Sequence, residues 1–196
     1  MRRNREMREI DDFLGSAHGF ATVVCQMVEQ RLLDEVAAGQ VTLSHIRVMK
    51  LVATKNSYML GDIAAFLDVS NAAASKTVDR LVRRDLLRRT EDETDRRATH
   101  LSLTPAGRRL LAAYEAARRR KLEVIFAQVP RDELARAAGL LDRISADIVD
   151  HSAGSEEVCL NCGIYSRENC LIRQLARRNC FYERHGSPNG RGDMEE

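Results

Sequence analysis

Apolar residues recur at three- and four-residue steps from the start of the chain. Ile10, Phe13, Leu14, Ala17, Ala21, Val24, Val28, Leu32 and Val36 share one helical face, which predicts a single long helix over 8–38 that Gly39 ends. Thr42 or Ser44 caps a second helix, with Leu43, Ile46, Val48, Met49, Leu51 and Val52 on its apolar side and Asn56 and Ser57 breaking it. Residues 60–67 (LGDIAAFL) form a short helix. Asp68-Val69-Ser70-Asn71 reads as a turn, and Ser70 or Asn71 caps the next helix over 72–84. Two short helices joined by such a turn make a helix-turn-helix pattern, with Val78, Leu81 and Val82 as core positions.

Past that helix the period changes from helical to alternating. Leu86 to Thr90 predicts a strand, Glu91 to Arg96 a charged turn, and Ala98 to Leu103 a second strand with Leu101 and Leu103 on one face. A hairpin placed there is a wing. Thr104 then caps a long helix with Pro105 at its first position, running to about Gln128 through Leu110, Leu111, Tyr114, Ala117, Leu122, Ile125 and Phe126. Pro130 interrupts it, and residues 131–150 form a last amphipathic helix. The apolar stripes of 10–36, 104–128 and 131–150 exceed what one small head can cover, so they predict a partner chain.

The expected fold is mainly α: a winged helix-turn-helix with long N- and C-terminal dimerisation helices and a Cys-rich metal-binding extension. By residues this gives an N-terminal dimerisation helix over 1–40, the winged head over 41–103 and C-terminal dimerisation helices over 104–150. A Cys-rich segment over 151–185 and a disordered tail over 186–196 follow.

Composition narrows the function. The chain of 196 residues is 44% hydrophobic and 31% charged, a globular balance. No run approaches ~18 uninterrupted apolar residues, so no membrane partner is expected. The charged start MRRNREMREIDD precedes no compact apolar segment with a cleavage site, so no secretion signal is expected, and a cytoplasmic location follows. Aromatics are 5% with no Trp, which supplies little stacking for single-stranded nucleic acid. The net charge of +2 is uninformative alone, but residues 70–121 carry fourteen basic against seven acidic side chains. A basic middle on a near-neutral chain is an electrostatic footprint for a polyanion.

The wing and the helix after it, Asp95-Arg96-Arg97-Ala98-Thr99-His100-Leu101-Ser102-Leu103-Thr104-Pro105-Ala106-Gly107, closely resemble the wing-to-helix signature of the MarR family of bacterial transcription regulators. The order of elements over roughly 8–150 is similar as well. The resemblance implies a homodimeric winged helix-turn-helix regulator on a pseudo-palindromic operator in double-stranded DNA. Two positions depart from the family pattern. The wing tip usually carries Asp-x-Arg-Asp, whereas Thr94 stands in Asp92-Glu93-Thr94-Asp95, leaving minor-groove insertion to Arg96 and Arg97. The usual glycine after the recognition helix is Asp85, which predicts a left-handed residue that is not glycine.

Within the recognition helix, Ser70, Asn71, Ala72 and Ala73 are small enough to approach the groove floor. Alanine methyls there can meet thymine methyls, and Ser or Asn can bond base edges. Ser75 and Lys76 are the leading base or phosphate contacts, and Arg80, a turn further on, is placed for phosphate. Arg96 and Arg97 suit the negative potential of a narrow minor groove.

Cys159, Cys162, Cys170 and Cys180 follow a C-x2-C-x7-C-x9-C spacing. In a reducing compartment, clustered thiols favour a metal over disulfides. One C-x-x-C knuckle with two scattered cysteines suits an iron–sulfur cluster, of the 4Fe–4S type more naturally than the 2Fe–2S type. Zn²⁺ is the alternative and usually presents two knuckles. A continuous helix from Cys170 to Cys180 would separate them by about 15 Å. The chain therefore folds back near Asn179 or Cys180 lies outside the centre; His185 is a spare donor. A cysteine-thiol redox switch is a further alternative. Cys25 reads as a buried core thiol, and His18, His45, His100 and His151 as structural. No Ser/His/Asp or paired-carboxylate arrangement appears, and the C-x-x-C lacks a βαβ context, so no enzyme is expected. The expected function is a repressor-type regulator whose operator binding the iron–sulfur cluster modulates. Its rival is the same regulator with structural zinc and a small-molecule effector.

Overall fold

The structure, a computed structural model, describes residues 2–54, 58–91 and 99–150. The segment 55–57 with Asn56 and Ser57, the wing tip with Arg96 and Arg97, and everything from 151 onward lie outside the described residues. That excludes the four clustered cysteines, His151, His185 and the expected tail.

The chain opens on α1 (Arg2–Val23), continues through a π-helical segment (Val24–Gln30) and ends the long N-terminal element in α2 (Arg31–Ala37). One continuous rod therefore stands where one helix is predicted, but with a π turn inside it. The wider turn rotates the downstream face relative to the upstream one. Val28, Leu32 and Leu33 consequently face the core, whereas Ile10, Leu14, Phe20 and Val23 on the same rod are at least half exposed. Cys25 lies in the π segment and is exposed, not a buried core thiol as the sequence suggests. At the C-terminus, Ala38 adopts the left-handed cap (φ 47°) and Gly39 follows at φ 70°, so the glycine serves the turn one residue after the cap.

The head comprises α3 (Leu43–Thr54), α4 (Leu60–Leu67), α5 (Asn71–Arg83), β1 (Leu87–Glu91) and β2 (Thr99–Leu103). The strands pair antiparallel, Leu87 opposite Leu103 and Arg89 opposite Leu101. Its core includes the α3 residues expected from periodicity: Ile46, Val48, Met49, Leu51 and Val52 are completely buried, Leu43 is partly buried, and Ile63, Phe66, Val78, Leu81, Leu87 and Leu101 close around them. Tyr58 joins this core with its hydroxyl 2.9 Å from Thr54 Oγ1, and burial raises its pKa above the ordinary phenol value.

Two long helices complete the described chain, α6 (Pro105–Phe126) and α7 (Arg131–Asp150), with Pro130 just before α7. Lys50 of α3 pairs with Glu115 of α6 at 2.7 Å, and Tyr114 of α6 is wholly buried in the same core. Val124 (77% exposed), Ile125, Leu140, Leu141 and Ile148 remain open to solvent. Among the described residues, no helix is long and apolar enough to cross a membrane.

Candidate nucleic-acid interface

The turn between α4 and α5 is closed by local chemistry. Asp68 takes a left-handed cap at φ 54°, returning its N–H to Ala64 and Ala65. Ser70 enters α5 extended (φ −63°, ψ 153°), and its Oγ accepts the Ala73 N–H at 3.3 Å. Of the two caps the sequence offers, Ser70 and Asn71, the structure takes Ser70, which satisfies a donor that the first helical turn leaves free. With that cap in place, Ala74, Val78 and Leu81 turn inward while Asn71, Ala72, Ala73, Lys76 and Arg80 stay exposed. The predicted reading face is thus one continuous outward strip, with cations at its second and third turns.

Ser75 differs from the other candidates. It is half-buried, and its hydroxyl donates to Asp79 Oδ2 at 3.4 Å. The other oxygen of that carboxylate receives Arg89 Nη1 from β1 at 2.8 Å. Sequence reasoning missed this link between recognition helix and wing: ten positions separate Asp79 from Arg89, and no local spacing rule joins them.

The far end of α5 is set by a second group of contacts. Asp85 adopts φ 53°, as its replacement of the usual glycine predicts. The Thr104 hydroxyl donates to the Asp85 carbonyl, its N–H donates to Leu86 O at 3.2 Å, and its Oγ1 accepts the Gly107 N–H at 3.0 Å. One threonine therefore caps α6 and ties it to the turn leaving the recognition helix. Gly107 is required by space: a Cβ there would lie 2.1 Å from the Leu86 carbonyl oxygen.

At the N-terminus of α3, Thr42 N–H donates to His45 Nδ1 at 2.9 Å while Thr42 Oγ1 faces His45 N at 3.4 Å. This is a capping box with imidazole in the place of the usual Glu or Gln. His45 is therefore structural, as read from sequence. Burial, with the charges of Arg84 and Arg80 adding to it, lowers its pKa below the ordinary value of 6.5.

Among the described residues, several cations of the basic middle are already engaged within the protein. Arg89 is engaged by Asp79, Arg118 lies 3.9 Å from the buried Glu29, and Arg108 donates to Leu103 O at 2.8 Å. The side chains aimed outward from the recognition helix, Lys76, Arg80 and Arg83, remain as the local footprint. Beside the head, α6 borders a cleft of about 780 Å³ lined by Ala53, Leu103, Arg108, Leu111, Glu115 and Arg119 among others. No group of three or more His, Cys, Asp or Glu among the described residues is arranged to hold a metal ion.

Comparison with known proteins agrees with this geometry. The sequence model of the MarR family matches residues 41–99, which span the helix-turn-helix and most of the wing. The HTH-type transcriptional repressor MdtR of Bacillus subtilis is 22% identical over 139 residues, covering 71% of this chain and 90% of that protein. Among solved structures, a MarR family transcription regulator designated SP03579 superposes with a TM-score of 0.63 at 17% identity, covering 74% of this chain and 98% of that one. FabT of Streptococcus pneumoniae, solved in complex with DNA, gives a TM-score of 0.61 at 19% identity, covering 74% of this chain and 99% of that one. The family model over the helix-turn-helix and most of the wing, and the winged-helix fold shared around them, make this chain similar to the MarR-type transcription regulators.

Proposed function

We propose that the protein is a homodimeric repressor of the cytoplasm that holds two winged heads over successive major grooves of a pseudo-palindromic operator. The observation that carries this is the outward strip of α5, where small side chains at Asn71, Ala72 and Ala73 lead into Lys76 and Arg80. Ser70 serves that strip as its cap, and the reading gives contact with the minor groove to Arg96 and Arg97. Dimerisation is supported by the solvent-facing apolar residues of α1, α6 and α7, a quantity of exposed apolar surface that a lone protomer has no reason to keep. Two heads about 34–36 Å apart meet half-sites one helical turn apart. The protein acts by binding and performs no catalysis of its own.

Duplex binding is tested by fluorescence anisotropy over a salt series, with sedimentation velocity for the oligomer. Each phosphate neutralised should contribute about 0.9 to the slope of log affinity against log salt. A lone protomer that ignores duplex at every ionic strength overturns the reading.

The same reading assigns an iron–sulfur cluster of the 4Fe–4S type to Cys159, Cys162, Cys170 and Cys180. The donor set fits: four thiolates within 22 residues, one pair of them a C-x-x-C knuckle. Such a cluster supplies sensitivity to oxidants and to iron supply, and its cysteines begin nine residues after α7 ends at Asp150. An anaerobic visible spectrum with iron, sulfide and zinc analysis of the parent and of Cys159→Ala tests the assignment. Iron with sulfide, lost in the variant, supports it. Colourless protein holding zinc replaces the cluster with a structural zinc site, and metal-free protein with titratable thiols replaces it with a thiol switch.

The cleft beside α6 favours one second reading. Apolar walls with Arg108 and Arg119 at the junction of head and long helix suit a small anionic effector, sensed there while the cysteines hold zinc. A duplex affinity that responds to small organic anions but not to cluster oxidation selects this reading.

A further inference from the structure

One carboxylate joins the recognition helix to the wing. Asp79 of α5 holds Arg89 of β1 through Oδ1 and the Ser75 hydroxyl through Oδ2. The side chains of Asp79 and Arg89 are each 39% exposed, so both remain within reach of solvent and of a partner. An ionised carboxylate offers acceptors alone, so the Ser75 proton points at Asp79. With its proton so engaged, Ser75 has only lone pairs left to offer another partner. In the major groove an acceptor meets the amino groups of adenine N6 or cytosine N4, and it is mismatched to guanine N7 and O6 and to thymine O4. Arg89 shows the converse arrangement. It is a wing cation whose charge is met within the protein, and only charges that neutralise phosphate release counterions.

We propose that Asp79 is a positioning residue that determines duplex specificity. It fixes Ser75 as an acceptor for a base amino group and withholds Arg89 from phosphate, so the head discriminates among sequences instead of gripping any duplex. The inference rests on the DNA-binding reading above and adds to it the polarity of one base contact and the neutrality of one wing cation.

The test uses the full-length chain. Duplexes are selected from a randomised library, and the selected duplex and a scrambled one of equal length are titrated over a salt series. Arg89→Gln is expected to leave the salt slope unchanged, although it removes a wing cation. Asp79→Asn is expected to steepen the slope by about 0.9 through the freed Arg89. It should also narrow the selected-to-scrambled affinity ratio about tenfold. Asp79→Asn combined with Arg89→Gln restores the slope but not the ratio. Ser75→Ala narrows the ratio alone, at a position where the selected sequences carry adenine or cytosine. Asp79→Glu, which keeps the carboxylate, stays near the parent.

Arg89→Gln flattening the slope by about 0.9 overturns the proposal, because Arg89 would then already sit on phosphate. A folded Asp79→Asn protein with parental slope and ratio also overturns it, as does selection of guanine or thymine at the Ser75-dependent position. If Asp79→Asn melts early, Arg89→Gln and Ser75→Ala decide the matter. A parent that selects and binds no duplex defeats the DNA-binding reading itself, an outcome separate from all of these.

Discussion

Replacing Gly107 with alanine should unseat the junction between recognition helix, wing and α6. The added Cβ would lie 2.1 Å from Leu86 O, 3.0 Å from Leu86 C and 3.2 Å from Leu103 Cδ2. Two of the three obstacles are backbone, which has no rotamer to yield. Moving the Leu86 carbonyl also strains its bond from Thr104 N–H and the left-handed turn at Asp85. Overpacking commonly costs about 1–3 kcal/mol, and a fixed carbonyl puts this site at roughly 3. Alanine's better helix propensity returns up to about 1 kcal/mol, leaving a net loss of about 2 kcal/mol. With a urea m-value of about 2 kcal/mol per molar, the unfolding midpoint should fall by about 1 M at fixed protein concentration. Gly61→Ala is the control, since a Cβ there meets nothing within 4 Å. Its midpoint should hold or rise, by up to about 1 kcal/mol of added stability. A Gly107→Ala midpoint equal to or above the parent's would show that α6 does not start against the Leu86 carbonyl.

Three further outcomes follow from the same contacts. His45 has a folded pKa below its unfolded 6.5, so the unfolded chain binds the additional proton. The stability linked to His45 is therefore complete above pH 6.5 and is lost as pH falls through that value toward the folded pKa. Urea midpoints between pH 7.5 and 5.5 should drop more in the parent than in His45→Gln, and parallel curves would contradict this. Ser70→Ala removes the cap of α5 and should cost about 1 kcal/mol in the same unfolding assay; no change would mean that Ser70 does not cap the helix in solution. Lys76→Ala and Arg80→Ala should each flatten the salt dependence of duplex binding by about 0.9 while leaving the unfolding midpoint within about 0.5 kcal/mol of the parent. A slope that stays parental in both would remove these two cations from the interface.

Apart from the π-helical segment, the sequence by itself determined the order and type of the described elements, because those follow from short-range rules. Leu101 and Leu103 alternate into the core as a strand should, and Ser70 and Thr104 cap the helices they precede. Each depends on neighbours within a few residues, where period, cap and backbone preference suffice. Tertiary structure alone decided which of the chemically plausible side chains are free to act. Ser75 and Arg89 are tied to Asp79 across helix and strand, Arg118 is drawn toward Glu29, and Gly107 is forced by a carbonyl twenty-one positions away. The π turn before α2 likewise sends Cys25 outward while keeping Leu32 inside. Periodicity can assign a residue to a face, but a face becomes buried or open, and a charge spent or available, only when a distant segment packs against it.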